Sequence, residues 1–146
     1  MNLTQVVSIF LQSNNDDSYL LQLRDNNPSI VYPGCWGLFG GSIEEGESPR
    51  EAIARELQEE IQYVPNEIHE FRQYRQQNLW INVCIGKIAV PVSELRLQEG
   101  MDLGLFPAKE ISKGQLFSQK LHAYFPVPSI LQEYFKDFLH WTKEDL

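Results

Sequence analysis

Three glutamates, Glu56, Glu59 and Glu60, lie within five consecutive positions of a segment that the sequence predicts to be helical. At about 100° of rotation per residue, their side chains share an arc of roughly 100° on one flank of the helix. An apolar stripe lies beside this arc and consists of Ile53, Leu57 and Ile61. The helix is therefore expected to bury one side and to direct three carboxylates from the adjacent side.

Such a group of carboxylates is a candidate site for a divalent cation. Glu56 and Glu60 are like charges at positions i and i+4, which destabilises an isolated helix by a few tenths of a kcal/mol. Both lie in the C-terminal half of the helix, where the macrodipole disfavours anions. Mg²⁺ would offset both costs, because it prefers oxygen ligands and is often completed by substrate phosphates. The alternative is a solvated acidic face, which is the commoner meaning of clustered glutamates.

The net charge of the chain limits its classes of partner. The 146 residues include 12 Lys and Arg against 20 Asp and Glu, so the net charge is −8. A surface of this sign repels phosphate backbones, and we therefore expect no nucleic-acid partner. A phosphorylated small molecule would need a local cation to offset the same repulsion.

Length and cysteine content favour one domain spanning residues 1–146 in a reducing compartment. Cys35 and Cys84 lie far apart without CxxC spacing, so we expect neither a disulfide framework nor a zinc site. The N-terminal segment lacks a cationic region, and no apolar run approaches the ~18 residues of a membrane span. We therefore expect a cytoplasmic protein with no membrane partner.

The elements that must position the glutamates follow from capping and periodicity signals. Ser48, Pro49 and Glu51 form a capping box with proline at the first helical position, and Pro65 ends the helix at about Gln62. Apolar runs predict strands at 4–12, 19–24, 68–74 and 79–90, a second helix at 128–141 and a loop at 94–107. This order of elements favours an α/β fold with a mixed sheet between helices.

Residues 41–63 carry a longer pattern around the glutamates. Glu47 follows Gly41 after five residues, and Arg55 follows Glu47 after seven, directly before Glu56. This arrangement resembles the box of the Nudix hydrolase family, G-x5-E-x7-R-E-U-x-E-E-x-G-U, where U is a bulky aliphatic residue. The chain departs from the box at its end, where the last two specified positions are Gln62 and Tyr63. Because glycine is typical of a left-handed helix end, we expect Gln62 to cost about 1 kcal/mol if its φ is positive.

The resemblance implies a Nudix-type α/β/α sandwich and an enzyme. Such an enzyme would cleave the pyrophosphate linkage of a nucleoside diphosphate joined to another moiety, releasing a nucleotide and a phosphorylated product. The implied cofactor is Mg²⁺, with Mn²⁺ as a substitute. Its implied ligands are the Gly40 carbonyl and the carboxylates of Glu56, Glu59 and Glu60.

The resemblance also implies a proton acceptor and a set of structural residues. The proton of the attacking water would pass to one glutamate of the set Glu56, Glu59 and Glu60 or to Glu99, with Glu56, Glu59 and Glu99 as the leading candidates. Glu99 lies in a Glu-Gly segment similar to a loop of some family members. Gly41, Glu47 and Arg55 would have structural roles in the motif. Arg55 is expected to pair with Glu47 or, alternatively, with Glu51 at i−4.

Substrate contacts are open to several interpretations. Arg24, Arg72 and Arg75 are candidates for binding phosphate or sugar oxygens, although arginines at strand ends are usually solvated.

Two further functions stay open: a catalytically weak nucleotide-binding regulatory module, and a nucleotide-sugar hydrolase that attacks at the sugar carbon. The sequence names neither the substrate nor the oligomeric state, and we keep a homodimer as an alternative to a monomer.

Overall fold

A mixed β-sheet forms the middle layer of the protein. The computed structural model describes residues 3–145 and the side chains of residues 3–141. Its strands are β1 (Thr4–Ser13), β2 (Ser18–Leu23), β3 (Trp36–Gly37), β4 (Phe39–Ser42), β5 (Ile68–Gln76), β6 (Leu79–Ile88), β7 (Asp102–Pro107), β8 (Gln115–Ser118) and β9 (Ala123–Pro126). Its helices are α1 (Pro49–Ile61), α2 (Ala108–Ile111) and α3 (Ser129–Asp145), with a short 3-10 turn at Val92–Glu94. In this described part, β1 to β7 share one sheet, and β8 pairs with β9 in a separate hairpin.

β1 lies at the centre of the sheet and has different neighbours along its length. It runs parallel to β6 over its whole length. On its other edge, antiparallel β4 pairs with residues Val6 to Ile9, whereas β2 pairs with Leu11 and Gln12. β2 therefore leaves β1 where β4 joins it, and a cleft lies at this fork.

Alternating side chains on the strands build two apolar layers, one on each face of the sheet. On β1, Phe10 belongs to one layer, and Ile9 and Leu11 belong to the other. The first layer packs against α3 through Tyr134, Phe135 and Phe138. The second layer packs against α1 through Ile53, Leu57 and Ile61. The predicted α/β/α sandwich with a mixed sheet is thus confirmed, and none of the helices within residues 3–145 has the length and apolar character to cross a membrane.

Helix α1 begins and ends as its sequence predicts. The Ser48 hydroxyl accepts the Glu51 N–H (3.1 Å), and the Glu51 carboxylate accepts the Ser48 N–H (2.9 Å). At the other end, Gln62 is left-handed, with φ 55° and ψ 37°, and donates its N–H to the Leu57 carbonyl (3.1 Å). Glutamine therefore occupies a backbone conformation that favours glycine.

The predicted loop at 94–107 is wrong in its second half, which forms strand β7. Glycine at 104 and proline at 107 are loop signals, yet β7 pairs with β2 along six residues. Leu103 and Leu105 pack against the α1-side layer. This burial stabilises the strand, and the local sequence pattern gave no sign of it. The β8–β9 hairpin and α2 were not predicted either, because each has only four residues.

We predict that Gln62→Gly stabilises the protein by about 1 kcal/mol, since glycine removes the Cβ strain of a positive φ. The matched control is Gln58→Gly, an exposed position inside α1, which should destabilise by about 1 kcal/mol through backbone entropy. Thermal or urea unfolding of the two variants measures both values. Equal destabilisation by both glycines would contradict strain at Gln62.

Candidate functional site

The Arg55 guanidinium joins the start of the site to helix α1. Its Nε and Nη2 atoms bind the two Glu47 carboxylate oxygens at 2.8 and 3.0 Å, in a bidentate ion pair. Nη2 also donates to the Ser42 carbonyl at 3.0 Å, and Nη1 donates to Glu56 Oε1 at 3.0 Å. Glu51 serves the capping box instead. Arg55 thereby fixes the loop that precedes α1 and orients the Glu56 carboxylate.

Glu47 is held as an anion by its donors. Hydrogen bonds from the Arg55 side chain and from the Glu44 backbone lower the pKa of Glu47 to about 2. Glu47 Oε1 accepts the Glu44 N–H at 2.9 Å, which closes the loop before the helix. The pair is therefore charged at neutral pH and acts as a fixed brace for the motif.

Two glycines allow β4 to approach its neighbours. A Cβ atom on Gly40 would overlap the Val7 carbonyl oxygen of β1, which is rigid backbone. A Cβ atom on Gly41 would lie 2.5 Å from the Glu56 Cδ atom. Gly40 thus permits the β1–β4 pairing, and Gly41 leaves room for the Glu56 carboxylate.

Glu60 is the most buried acid of the site, with 3% of the residue exposed. Its Oε2 atom has no hydrogen-bond partner among the described atoms. Burial, followed by the negative charges of Glu56 and Glu99 and a hydrogen bond shared with the Glu56 side chain, raises the pKa of Glu60, while a hydrogen bond from the Gly40 amide acts in the opposite direction. A buried carboxyl oxygen without a hydrogen-bond donor, next to two further carboxyl groups, fits a hard divalent cation, which would bind Glu60 in its ionised form.

Glu99 reaches the same cleft on a short segment, Gln98–Met101, which we call the Glu99 strap. The Gln98 N–H donates to the Glu60 carbonyl and the Met101 N–H donates to the Leu23 carbonyl, each at 2.8 Å. The Gln22 side chain donates its Nε2–H to the Glu99 carbonyl, also at 2.8 Å. The strap is therefore tied to the end of α1 on one side and to the end of β2 on the other.

The remaining glutamate of the motif lies at the rim. The Glu59 side chain is 60% exposed, and its Oε1 atom is 3.7 Å from Arg55 Nη1. Glu56, in contrast, has a side chain that is only 15% exposed. Among the side chains of residues 3–141, no three acidic, His or Cys groups form a ready-made cluster around one point.

Two adjoining clefts meet at Arg24. The acidic cleft, of about 280 Å³, is lined by Gly40, Gly41, Glu60 and Glu99 among others. The apolar cleft, of about 250 Å³, is lined mainly by aliphatic and aromatic side chains, among them Leu79, Ile81, Leu131, Tyr32 and Tyr134. Residues common to both clefts are Val6, Ser8, Arg24 and Leu38. Arg24 donates its Nε–H to the Val31 carbonyl at 2.7 Å, so it also anchors the loop that covers this junction.

The other two candidate arginines lie on β5, outside the linings of both clefts. Arg72 lies over the Phe71 ring and has its Nη1 atom 3.6 Å from Asp137 Oδ2. Arg75 donates to the Gln77 carbonyl at 3.4 Å. Of the three arginines, the structure brings only Arg24 to the carboxylates.

Among the polar groups that line these clefts, sequence reasoning missed Gln22 and Tyr134. Gln22 is buried (4% exposed) within the otherwise apolar run 19–23, and this interruption was the available signal. Tyr134 is also buried, and its hydroxyl has no hydrogen-bond partner within the described part of the chain. No local pattern distinguishes Tyr134 from a core aromatic residue.

A larger cavity, of about 600 Å³, lies at the other end of β1 and β6, between Gln12, Lys87 and Trp141.

Comparison with known proteins gives both sequence and structural likenesses. Residues 2–124 match the family model of the NUDIX domain. The nucleoside triphosphatases NudI of Salmonella arizonae and Salmonella newport are 48% identical to the chain over 48 residues, which are 32% of this chain and 33% of each relative. The match thus spans about a third of the length of these curated relatives.

Solved structures share the fold at low sequence identity. A MutT/nudix family protein from Listeria innocua has a TM-score of 0.74 at 18% identity, over 99% of this chain and 97% of that one. A MutT structure from work on Aliivibrio salmonicida and Vibrio cholerae has a TM-score of 0.73 at 18% identity, over 93% and 96%. The NUDIX domain of Shewanella oneidensis NrtR, complexed with ADP ribose, has a TM-score of 0.68 at 21% identity, over 95% and 90%.

The family model covers most of the chain, including the glutamate helix and the glycines of β4. The structural neighbours repeat the same arrangement of sheet and helices. The chain therefore belongs to the Nudix hydrolase family.

Proposed function

We propose that this chain hydrolyses the pyrophosphate linkage of a nucleoside diphosphate or triphosphate derivative and that Mg²⁺ supports the reaction. The observation that carries the proposal is the buried, unpartnered Oε2 atom of Glu60, which lies beside Glu56 and Glu99 in a cleft that ends at Arg24. Nudix hydrolases act on nucleoside triphosphates or diphosphate derivatives and generally use a divalent metal. The acidic cleft would receive the pyrophosphate through such an ion.

The donor set supports magnesium as the cation. Carboxylate oxygens of Glu56, Glu59 and Glu60 and the carbonyl of Gly40 are hard ligands, and Mg²⁺ combines few protein oxygens with substrate phosphates. A divalent ion held there supplies positive charge to the pyrophosphate and acidifies a bound water. The exposed Glu59 can move toward the cleft at little cost, because its side chain is largely in solvent. Mn²⁺, which also suits oxygen ligands, would substitute.

The other groups of the site would accept a proton, orient a carboxylate or bind the substrate. Glu56, Glu59 or Glu99 accepts the proton of the attacking water. Arg55 orients Glu56 through its 3.0 Å hydrogen bond, and it does so without contacting the substrate. Arg24 binds a phosphate or sugar oxygen, since its guanidinium lies where the two clefts meet.

The nucleoside would occupy the apolar cleft beyond Arg24. Its volume of about 250 Å³ is below the roughly 300–1,000 Å³ of pockets for drug-sized ligands, so it suits a base rather than a whole nucleotide. Tyr32 and Tyr134 offer aromatic surface to a flat ring. This placement would bring the pyrophosphate to the carboxyl groups, because the apolar cleft and the acidic cleft meet at Arg24.

The decisive experiment is a panel of nucleoside triphosphates, dinucleotides and nucleotide sugars, incubated with the full chain and Mg²⁺ in ¹⁸O water. We expect hydrolysis of at least one class, with the label in a phosphate product. Mass spectrometry of the products locates the label. Label in the sugar would replace our proposal with attack at carbon.

A panel without any hydrolysis, but with nucleotide binding by calorimetry, would favour the non-catalytic binding module. Chelation of the metal should abolish turnover, and Mn²⁺ should restore it. Metal-independent turnover would contradict the cation role of the acidic cleft.

We predict that Glu59→Gln lowers kcat at least about tenfold, because it removes the charge of a metal ligand. Folding should be unaffected, since the Glu59 side chain is 60% exposed. The matched control is Glu67→Gln, whose side chain is 84% exposed and lies outside the acidic cleft. Steady-state kinetics and thermal unfolding test the pair, and an unchanged kcat in Glu59→Gln would refute its role.

Arg24→Met is expected to raise KM about tenfold with a smaller change in kcat, since a charge-assisted hydrogen bond present in both ground and transition states is lost. Arg75→Met is the control, because Arg75 lies on β5 away from both clefts and should leave KM within about twofold of the parent. Initial-rate kinetics on the best substrate of the panel measure both. The assignment fails if the two variants behave alike.

A further inference from the structure

Gln22 is a buried polar residue whose neighbours in β2 are apolar. The residues around it, Leu21 and Leu23, have no exposed surface, and Gln22 itself is 4% exposed. Alternation along the strand places Gln22 on the face of Leu20, which packs in the α1-side layer. Burying an amide is costly unless its hydrogen bonds are made, so an apolar residue would suit the sheet better. The hydrogen-bond partner of Gln22 must therefore explain why an amide is buried at this position.

That partner is the backbone of the Glu99 strap. Gln22 Nε2 donates to the Glu99 carbonyl oxygen at 2.8 Å, across 77 positions of the sequence. The Gly100 backbone, at φ 95°, packs so closely that a Cβ atom there would lie 2.9 Å from Gln22 Cγ and 2.8 Å from the Leu23 carbonyl. The strap thus rests directly on the Gln22 side chain, and Gln22 and Gly100 both line the acidic cleft.

We infer that Gln22 is a positioning residue that sets the Glu99 carboxyl in the acidic cleft through its hydrogen bond to the Glu99 carbonyl. The inference rests on the proposed function, because it assigns Glu99 a part in hydrolysis. The other anchors of the strap hold its flanks, Gln98 and Met101, whereas Gln22 holds the residue that carries the carboxyl group. Loss of this bond frees Glu99 to rotate away while the rest of the fold is retained.

The kinetic test is a double-mutant cycle of Gln22→Met and Glu99→Gln. Met matches the length of Gln and removes the donor, and we expect kcat to fall about tenfold with KM within about twofold, since small misplacements of a reacting group are costly. Because Gln22 acts through Glu99, the double variant should be no slower than Glu99→Gln alone, within about twofold. Gln73→Met, which removes a glutamine hydrogen bond on β5, is the matched control and should leave kcat unchanged.

A second measurement needs no turnover. Amide hydrogen exchange at Gln98 and Met101, whose N–H groups are hydrogen-bonded, should accelerate at least about tenfold in Gln22→Met and remain at the parental rate in Gln73→Met. Gly100→Ala, which introduces a Cβ atom against Gln22, should release the strap in the same way.

Multiplicative losses in the cycle, or unchanged exchange in the strap, would overturn the inference. The two proposals fail differently. An inactive parent with strap exchange that depends on Gln22 removes the hydrolase function and leaves the anchoring intact. An active parent whose kcat is unaffected by Gln22→Met removes the role of Gln22 and leaves the hydrolase function intact.

Discussion

Repulsion among carboxyl groups is the constraint on which the site depends. Glu56, Glu60 and Glu99 interact electrostatically in one cleft of a chain whose net charge is already −8. Left to themselves, flexible acidic side chains would spread into solvent, where each charge is hydrated. The fold opposes this by holding the groups on two fixed elements, with Glu56 and Glu60 on α1 and Glu99 on a strap fixed at both ends.

Each restraint has a distinct physical origin. Arg55 provides opposite charge to Glu56 and to the Glu47 brace, and Gly41 provides the space that the Glu56 carboxylate occupies. Glu60 has no such cation, and its buried Oε2 atom lacks a hydrogen-bond donor. A stable core would exclude this group, and the cation proposed for this cleft would offset the cost of its burial.

The sequence revealed the parts of the site that are local in the chain. The capping box, the apolar stripe and the spacing of Gly41, Glu47 and Arg55 depend on neighbours within one helix and its preceding loop, so α1 and its end at about Gln62 were predictable. The left-handed conformation of Gln62 is a finding of the structure. Contacts between distant segments were not. The Gln22–Glu99 bond joins positions 77 residues apart, and β7 is a strand because β2 pairs with it, in spite of its glycine and proline. Arg24, Arg72 and Arg75 looked equivalent as strand-end arginines, and only the topology of the sheet separates them.

The end of α1 shows how the local and distant parts depend on one another. A helix leaves its last carbonyls without partners, and here the strap and the residues just before it supply two donors. The Arg96 N–H donates to the Ile61 carbonyl at 3.1 Å, and the Gln98 N–H donates to the Glu60 carbonyl at 2.8 Å. The same backbone that caps the helix therefore carries Glu99 to the helix glutamates. These external donors also explain why the helix end tolerates Gln62 in a conformation that favours glycine, because closure of the last turn does not rest on that residue alone. The end of the helix and the acidic cleft therefore share the same backbone hydrogen bonds, and a change that weakens these bonds should disturb both.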